Sequence, residues 1–142
     1  MGQALELVER TFHAIEAGDK EAIARCFDAE VVLTLPGTRV EGFPALDGLV
    51  DVFYGAFPNM HHTIVGSIES ADAVAIELHV TGTHSGVYRS PLGEAAPTGR
   101  DFAYSAFGHF RVRDGRIVSW TACFDRLDFL AQLGLLTLPV LS

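Results

Sequence analysis

Apolar residues recur at helical spacing from the start of the chain. Leu5, Val8, Phe12 and Ile15 form one stripe and Gly18 follows as a C-terminal cap, which predicts an amphipathic helix over 3–17. Asp19 is placed to cap a short second helix running to Phe27. "VVLTLPG" predicts a strand stopped by Pro36 and Gly37, and Leu46, Leu49, Val50 and Phe53 predict a third helix over 44–56. After Phe57-Pro58 the pattern changes to long strands. "MHHTIVGSIE" and "AVAIELHVTGTH" flank a turn at Ser70-Ala71-Asp72-Ala73, and "RDFAYSAFGHFRV" and "RIVSWTACF" flank Asp114-Gly115, a two-residue hairpin signal.

The segment joining the two hairpins, "SGVYRSPLGEAAPTG", is rich in Gly, Pro and Ser and reads as a loop over an opening or edge. "DRLDFLAQLG" reads as a short helix with Asp125 as N-cap and Gly134 as stop, followed by the apolar tail "LLTLPVLS". Helices first and a bent antiparallel sheet afterwards make an α+β arrangement with the helices on one face of the sheet.

Composition narrows the function classes. With 142 residues the chain fits a single domain, 1–142, able to bury its own core. Eighteen acidic residues against ten Lys and Arg give a formal charge of -8, which does not draw a polyanion, so nucleic acid is not an expected partner. The longest apolar run, Leu133 to Leu141, is too short to span a bilayer, and Glu6 and Glu9 interrupt any signal-peptide core, so a soluble, cytoplasmic protein is expected with no membrane partner. Cys26 and Cys123 lack metal-type spacing and are expected as reduced, packed thiols.

Candidate chemistry centres on "IELHV". On a strand Glu77 and His79 project from one face, and alternation allows two readings: both groups in solvent, with Val74, Ile76, Leu78 and Val80 as core, or both in a pocket.

The order of elements, together with "FPNMHHTI", "GTHSG", "PTGRDF", "FRVRDGRIVSW" and "FDRLDFLAQLG", resembles the SnoaL-like polyketide cyclase family of the NTF2-like superfamily over nearly the whole chain. The resemblance implies a cone, with N-terminal helices packed on a strongly curved mixed or antiparallel sheet, a deep apolar pocket and a homodimer. The fold hosts cyclases, isomerases, hydrolases, dehydratases and silent binding domains, so the reaction stays open. The resemblance also places the essential aspartate of the aldol-type cyclases on Ala122 and their active-site histidine on Gly108, so this chain lacks both, unless a bulge brings His109 round. It overlays pocket positions of the related epoxide hydrolases on Glu77 and His79, which would turn both inward.

Pairing the strands about Ala71-Asp72 sets Ile64 opposite His79 and His62 opposite Thr81, so His62, Glu77 and His79 share a face and form the expected acid/base cluster. The same three residues also have the donor types of a metal-binding triad, but the resembled family is metal-free, and the expectation is no metal and no cofactor. Of His61 and His62, only one can face a pocket on a regular strand.

On the second hairpin, pairing Arg113 with Arg116 sets Tyr104 opposite Asp125. Tyr104, Ala106, Gly108, Phe110 and Ser119 then share a face, with room for a ligand beneath Phe110. Asp125 has two compatible roles, helix cap and catalytic carboxylate. His84 is expected at the loop, exposed. The expected catalytic set is therefore His62, Glu77, His79 and Asp125, and the expected substrate-binding set is Tyr104, Gly108, Phe110, Ser119 and Ala122. The expected function is a cofactor-independent cyclase, isomerase or hydrolase acting on a small apolar polyketide- or terpenoid-like molecule. The alternative is a binding or accessory protein that has lost the family's catalytic pair.

Overall fold

A computed structural model describes residues 2–136 of the chain. Helix α1 (Gln3–Ala17) ends where Gly18 adopts a left-handed conformation and its N–H caps the carbonyls of Ala14 and Ile15. The Asp19 carboxylate accepts from the Ala22 N–H and starts α2 (Lys20–Cys26). Strand β1 (Phe27–Leu35) begins several residues before the apolar pattern suggests, and Pro36-Gly37 turns the chain into a short strand, β2 (Thr38–Glu41), that alternation does not reveal. Helix α3 (Phe43–Ala56) follows, then the long strands β3 (His61–Glu69) and β4 (Ala73–Thr83).

The Gly/Pro-rich segment is a loop that carries a small ribbon of its own, β5 (Tyr88–Ser90) with β6 (Gly93–Ala95). The chain then forms β7 (Asp101–Arg113), β8 (Arg116–Phe124) and α4 (Arg126–Gln132). Asp114 and Gly115 both have positive φ, 52° and 74°, as a two-residue hairpin turn demands.

The main sheet runs β2-β1-β8-β7-β4-β3, with β1 parallel to β8 and the other pairs antiparallel. Its inner face carries Val74, Ile76, Leu78 and Val80 from β4 and Phe102, Ala106 and Phe110 from β7, all buried. Leu7, Val8, Phe12 and Ile15 of α1 pack onto that face.

Two single-residue bulges decide what the inner face presents. Between β3 and β4 the register next to the turn is the one expected from Ala71-Asp72, with Glu69 opposite Val74 and Gly66 opposite Glu77. A bulge between Ile64 and Gly66 then shifts it by one, so Ile64 faces Leu78 and His62 faces Val80 instead of Thr81. Because side chains alternate with period 2, the shift moves His62 onto the opposite face of the sheet from Glu77 and His79. Between β7 and β8 Arg113 pairs with Arg116 as expected, and a bulge between Arg111 and Val112 puts Trp120 opposite Phe110 and Ala122 opposite Gly108. Trp120, Ala122 and Phe124 therefore turn inward and Ser119, now opposite Arg111, turns outward.

At one end of the core Phe57 is fully buried among Phe102, Phe129 and Tyr88, with ring centroids 5.1, 5.4 and 5.2 Å away. The loop after β4 is tied to α3 there: the N–H groups of Ser85 and Gly86 both donate to the Ala56 carbonyl. Any Cβ at Gly86 would overlap the Gly55 carbonyl oxygen, so this docking requires glycine. His84, expected to be exposed, is fully buried instead, its backbone paired with Arg100 and Gly99 and its Nδ1 accepting from the Thr98 N–H. Cys26 is buried as expected, whereas Cys123 is exposed on the outer face. Most of the apolar tail "LLTLPVLS" lies outside the described residues, and among those described no helix is long and apolar enough to cross a membrane.

Candidate active site

Between α1, α3 and the inner face of the sheet lies a cavity of about 100 Å³. The helices contribute Phe12, Ile15, Leu49 and Phe53, and the strands contribute Leu33, Leu78, Val80, Ala122 and Phe124. Of its seventeen lining residues only Tyr54, His62, Tyr104 and Trp120 carry a side-chain N–H or O–H. Among the described residues His62 is the one imidazole in a largely apolar wall, where a polar group is costly unless hydrogen-bonded.

The partner of His62 is Glu16, from the last turn of α1. One carboxylate oxygen accepts from the His62 backbone N–H at 2.6 Å and from its ring Nδ1 at 3.3 Å, and the other accepts from His61 Nδ1 at 3.0 Å. The His62 side chain is 11% exposed and that of His61 62% exposed, so one carboxylate bridges an imidazole at the cavity wall and one in solvent. Phe12 stacks on the His62 ring with centroids 4.7 Å apart, fixing its plane.

Burial pushes the His62 imidazole below its ordinary value of 6.5, and Glu16 opposes this in part by favouring the cation. For Glu16, burial alone would push the carboxyl up, but the His62 backbone N–H, followed by the two imidazole hydrogen bonds, outweighs it and holds the group below 4.5. At neutral pH the pair is thus a carboxylate and a neutral imidazole. With Nδ1–H donated to Glu16, Nε2 carries the free lone pair, the arrangement of a general base held in one tautomer.

The phenols complement this base. Burial raises both Tyr54 and Tyr104 far above the ordinary tyrosine value, with Glu16 adding to the effect on Tyr54 and Tyr88 to that on Tyr104, so both stay neutral donors. Tyr54 donates weakly to the Met60 carbonyl at 3.4 Å. Trp120 Nε1 is shut off from solvent and has no partner among the described residues.

The expected site residues separate into two groups. His62, Tyr104 and Ala122 line the cavity. Glu77 and His79 do not: both are exposed on the outer face, opposite Phe107 and Ser105, because Ile76, Leu78 and Val80 supply the inner face of β4. The orientation that the family overlay implied for these two residues is corrected accordingly, and the proposed His62, Glu77 and His79 cluster, with its metal-triad variant, is split across the sheet. Among the described residues no group of three or more His, Cys, Asp or Glu is arranged to hold a metal ion.

Asp125 is exposed and accepts from the Asp128 N–H at 2.9 Å, so it caps α4 and does not border the cavity. Gly108 and Phe110 lie in the packed layer beyond the cavity. A Cβ at Gly108 would come within 3.1 Å of the Phe110 ring and 3.4 Å of Ile76, which leaves no space for a ligand there. Ser119 faces outward because of the second bulge. Consequently Glu77→Gln and His79→Ala should leave any base-catalysed rate in the cavity unchanged within roughly twofold, as surface changes do. Asp125→Ala should lower stability by about 0.5–2 kcal/mol, read by denaturant unfolding, without altering that rate.

Glu16 was not among the expected residues. It carries one signal in the sequence: an acid in the last turn of a helix opposes the macrodipole, a placement that calls for a compensating partner elsewhere.

The family model for the SnoaL-like domain matches residues 8–120. The chain belongs to the SnoaL-like family. Its α+β cone is the NTF2-like fold, as the solved structures confirm. The SnoaL-like chain is similar to IdmH of Streptomyces antibioticus, a candidate polyketide cyclase, with 30% identity and a TM-score of 0.77 over 93% of this chain and 99% of that one. A candidate SnoaL-like polyketide cyclase from Jannaschia sp. CCS1 superposes with a TM-score of 0.84 at 19% identity, covering 95% and 94% of the two chains. AclR of Streptomyces galilaeus, a candidate hydroxylase, gives 0.77 at 22% identity over 94% and 97%. No curated protein matches the SnoaL-like chain.

Proposed function

We propose that this protein is a cofactor-independent cyclase-type enzyme that carries out acid/base chemistry on a small, largely apolar organic molecule held in the cavity. The observation that carries this reading is the Glu16-buttressed His62 imidazole entering a cavity whose other walls are almost wholly hydrocarbon. His62 takes a proton from an acidic C–H or O–H of the substrate through Nε2, Glu16 holds the tautomer and stabilises the imidazolium that forms, and Tyr104 donates to a carbonyl or enolate oxygen. The likeness to the candidate polyketide cyclase IdmH favours a polyketide-like substrate. The base sits on the α1/β3 wall, away from the Gly108–Ala122 pair that the family's aspartate and histidine would occupy.

Base-promoted ring opening of a nitrobenzisoxazole tests the reading without the natural substrate. The base removes the ring C–H proton, the N–O bond breaks, and a coloured cyanophenolate leaves. Saturable turnover that depends on His62 supports the proposal.

The second reading, a binding protein, draws on Ala122, which presents only a methyl to the cavity. It predicts ligands that raise the melting temperature and are recovered unchanged, with no nitrobenzisoxazole turnover.

A further inference from the structure

His62 borders two spaces. One is the main cavity, and the other is an open groove of about 320 Å³, lined also by Glu9, His13, Glu16 and His61. Only Phe12 and His62 belong to both, so the imidazole stands in the wall between the cavity and the groove, with Glu16 and His61 on the solvent side.

Among the described residues the Glu16 carboxylate bonds to the two histidines alone, and it divides its oxygens between them. Nδ1 of His61 lies 3.0 Å from one, while the backbone N–H and Nδ1 of His62 lie 2.6 and 3.3 Å from the other. The shorter imidazole contact thus goes to the exposed ring. One negative charge faces two groups that can each become cations, and two such groups do not titrate independently. Other ionisable groups surround the trio: Glu9 and His13 from α1 on the groove, Tyr54 from α3 beside Glu16, and His79 on β4, two residues from the Thr81 that pairs with His61. Lys20 is near Glu16 but is held by Asp47 and Asp51. None of these is hydrogen-bonded to the trio, so Glu16 is the link between the two rings. The lowering of the His62 imidazole comes first from burial; Glu16 opposes it, and a charge on His61 adds to it.

We propose that His61 is a positioning residue for the base: a proton on its solvent-facing ring draws on the Glu16 charge and withholds it from His62, so that Nε2 of His62 stays free into more acidic solution than Glu16 alone would permit. The inference rests on reading His62 as the base, but the coupling itself is measured without turnover.

Titration of His62 in the whole protein, followed by nitrogen-15 shifts, is the test. His61→Gln, whose amide still donates to Glu16 but carries no charge, should raise the His62 midpoint by about 0.3–1 pH unit, or about two- to tenfold in proton affinity, the size of a screened interaction across several ångströms. His61→Lys, charged throughout the titration, should leave the midpoint at or below that of the unaltered protein. The acid limb of nitrobenzisoxazole ring opening should follow, moving toward alkali in His61→Gln only. A purely structural His61 would not separate the two variants. Should they not fold, the unaltered protein decides: the His62 shift should move in two steps, a small one as His61 takes its proton and a larger one at its own protonation. An unchanged or lowered midpoint in His61→Gln, an equal rise in His61→Lys or, where the variants do not fold, a single-step titration would each overturn the assignment. Midpoints that move as expected without any ring opening would remove the base and leave the coupling; ring opening that depends on His62 with unmoved midpoints would do the reverse.

Discussion

His62→Ala should reduce nitrobenzisoxazole ring opening by about 10²- to 10⁴-fold, the usual contribution of a positioned general base, while leaving the fold intact by circular dichroism. The size follows from the site: among the described cavity-lining residues only His62 can accept a proton near neutral pH, and the variant leaves phenols, an indole, a thioether and hydrocarbon. Glu16→Gln should cause a smaller loss and move the pH profile. In the unaltered protein the rate should rise with pH through an apparent pKa below 6.5, since burial depresses the imidazole first and Glu16 only partly restores it. Removing the carboxylate's charge takes away the restoring influence, so the profile should move further toward acid. A profile that does not move would mean that Glu16 does not contact the base.

The second large effect is on stability. Phe57→Ala should destabilise the protein by about 3–5 kcal/mol, the range for truncating a buried aromatic. Phe57 has no exposed surface and touches rings from the loop, β7 and α4, while its N–H closes the end of α3 on the Phe53 carbonyl. A denaturant midpoint lowered at constant slope is the expected signature. Because Phe57 does not line the cavity, the folded fraction should still turn over the probe. A loss under about 1 kcal/mol would show that the cluster repacks around the gap.

Elements whose signals are local were legible in the sequence. Gly18, Asp19, Asp114-Gly115 and Asp125 each mark a cap or turn that appears at that position, because the φ angle or hydrogen bond involved belongs to one or two residues. The candidate site was only half legible, and the reason is arithmetical. Each long hairpin keeps its expected register next to its turn and then gains one residue, at Val65 in the first and at Val118 in the second. A single extra residue reverses every side chain beyond it. Without those bulges His62 stays with Glu77 and His79, and Ser119 replaces Trp120 in the wall. With them, the histidine enters the cavity and leaves the other two outside. Its true partner comes from α1, through a contact 46 residues away in sequence that no alternation pattern encodes.

The protonation state of His62 is the most direct test of the account. Nitrogen-15 shifts of the imidazoles, followed by NMR across pH, should show His62 with its proton on Nδ1, titrating below the ordinary 6.5, and shifting further down in Glu16→Gln. A His62 that titrates like a solvent-exposed histidine, carries its proton on Nε2 and ignores the loss of Glu16 would contradict it.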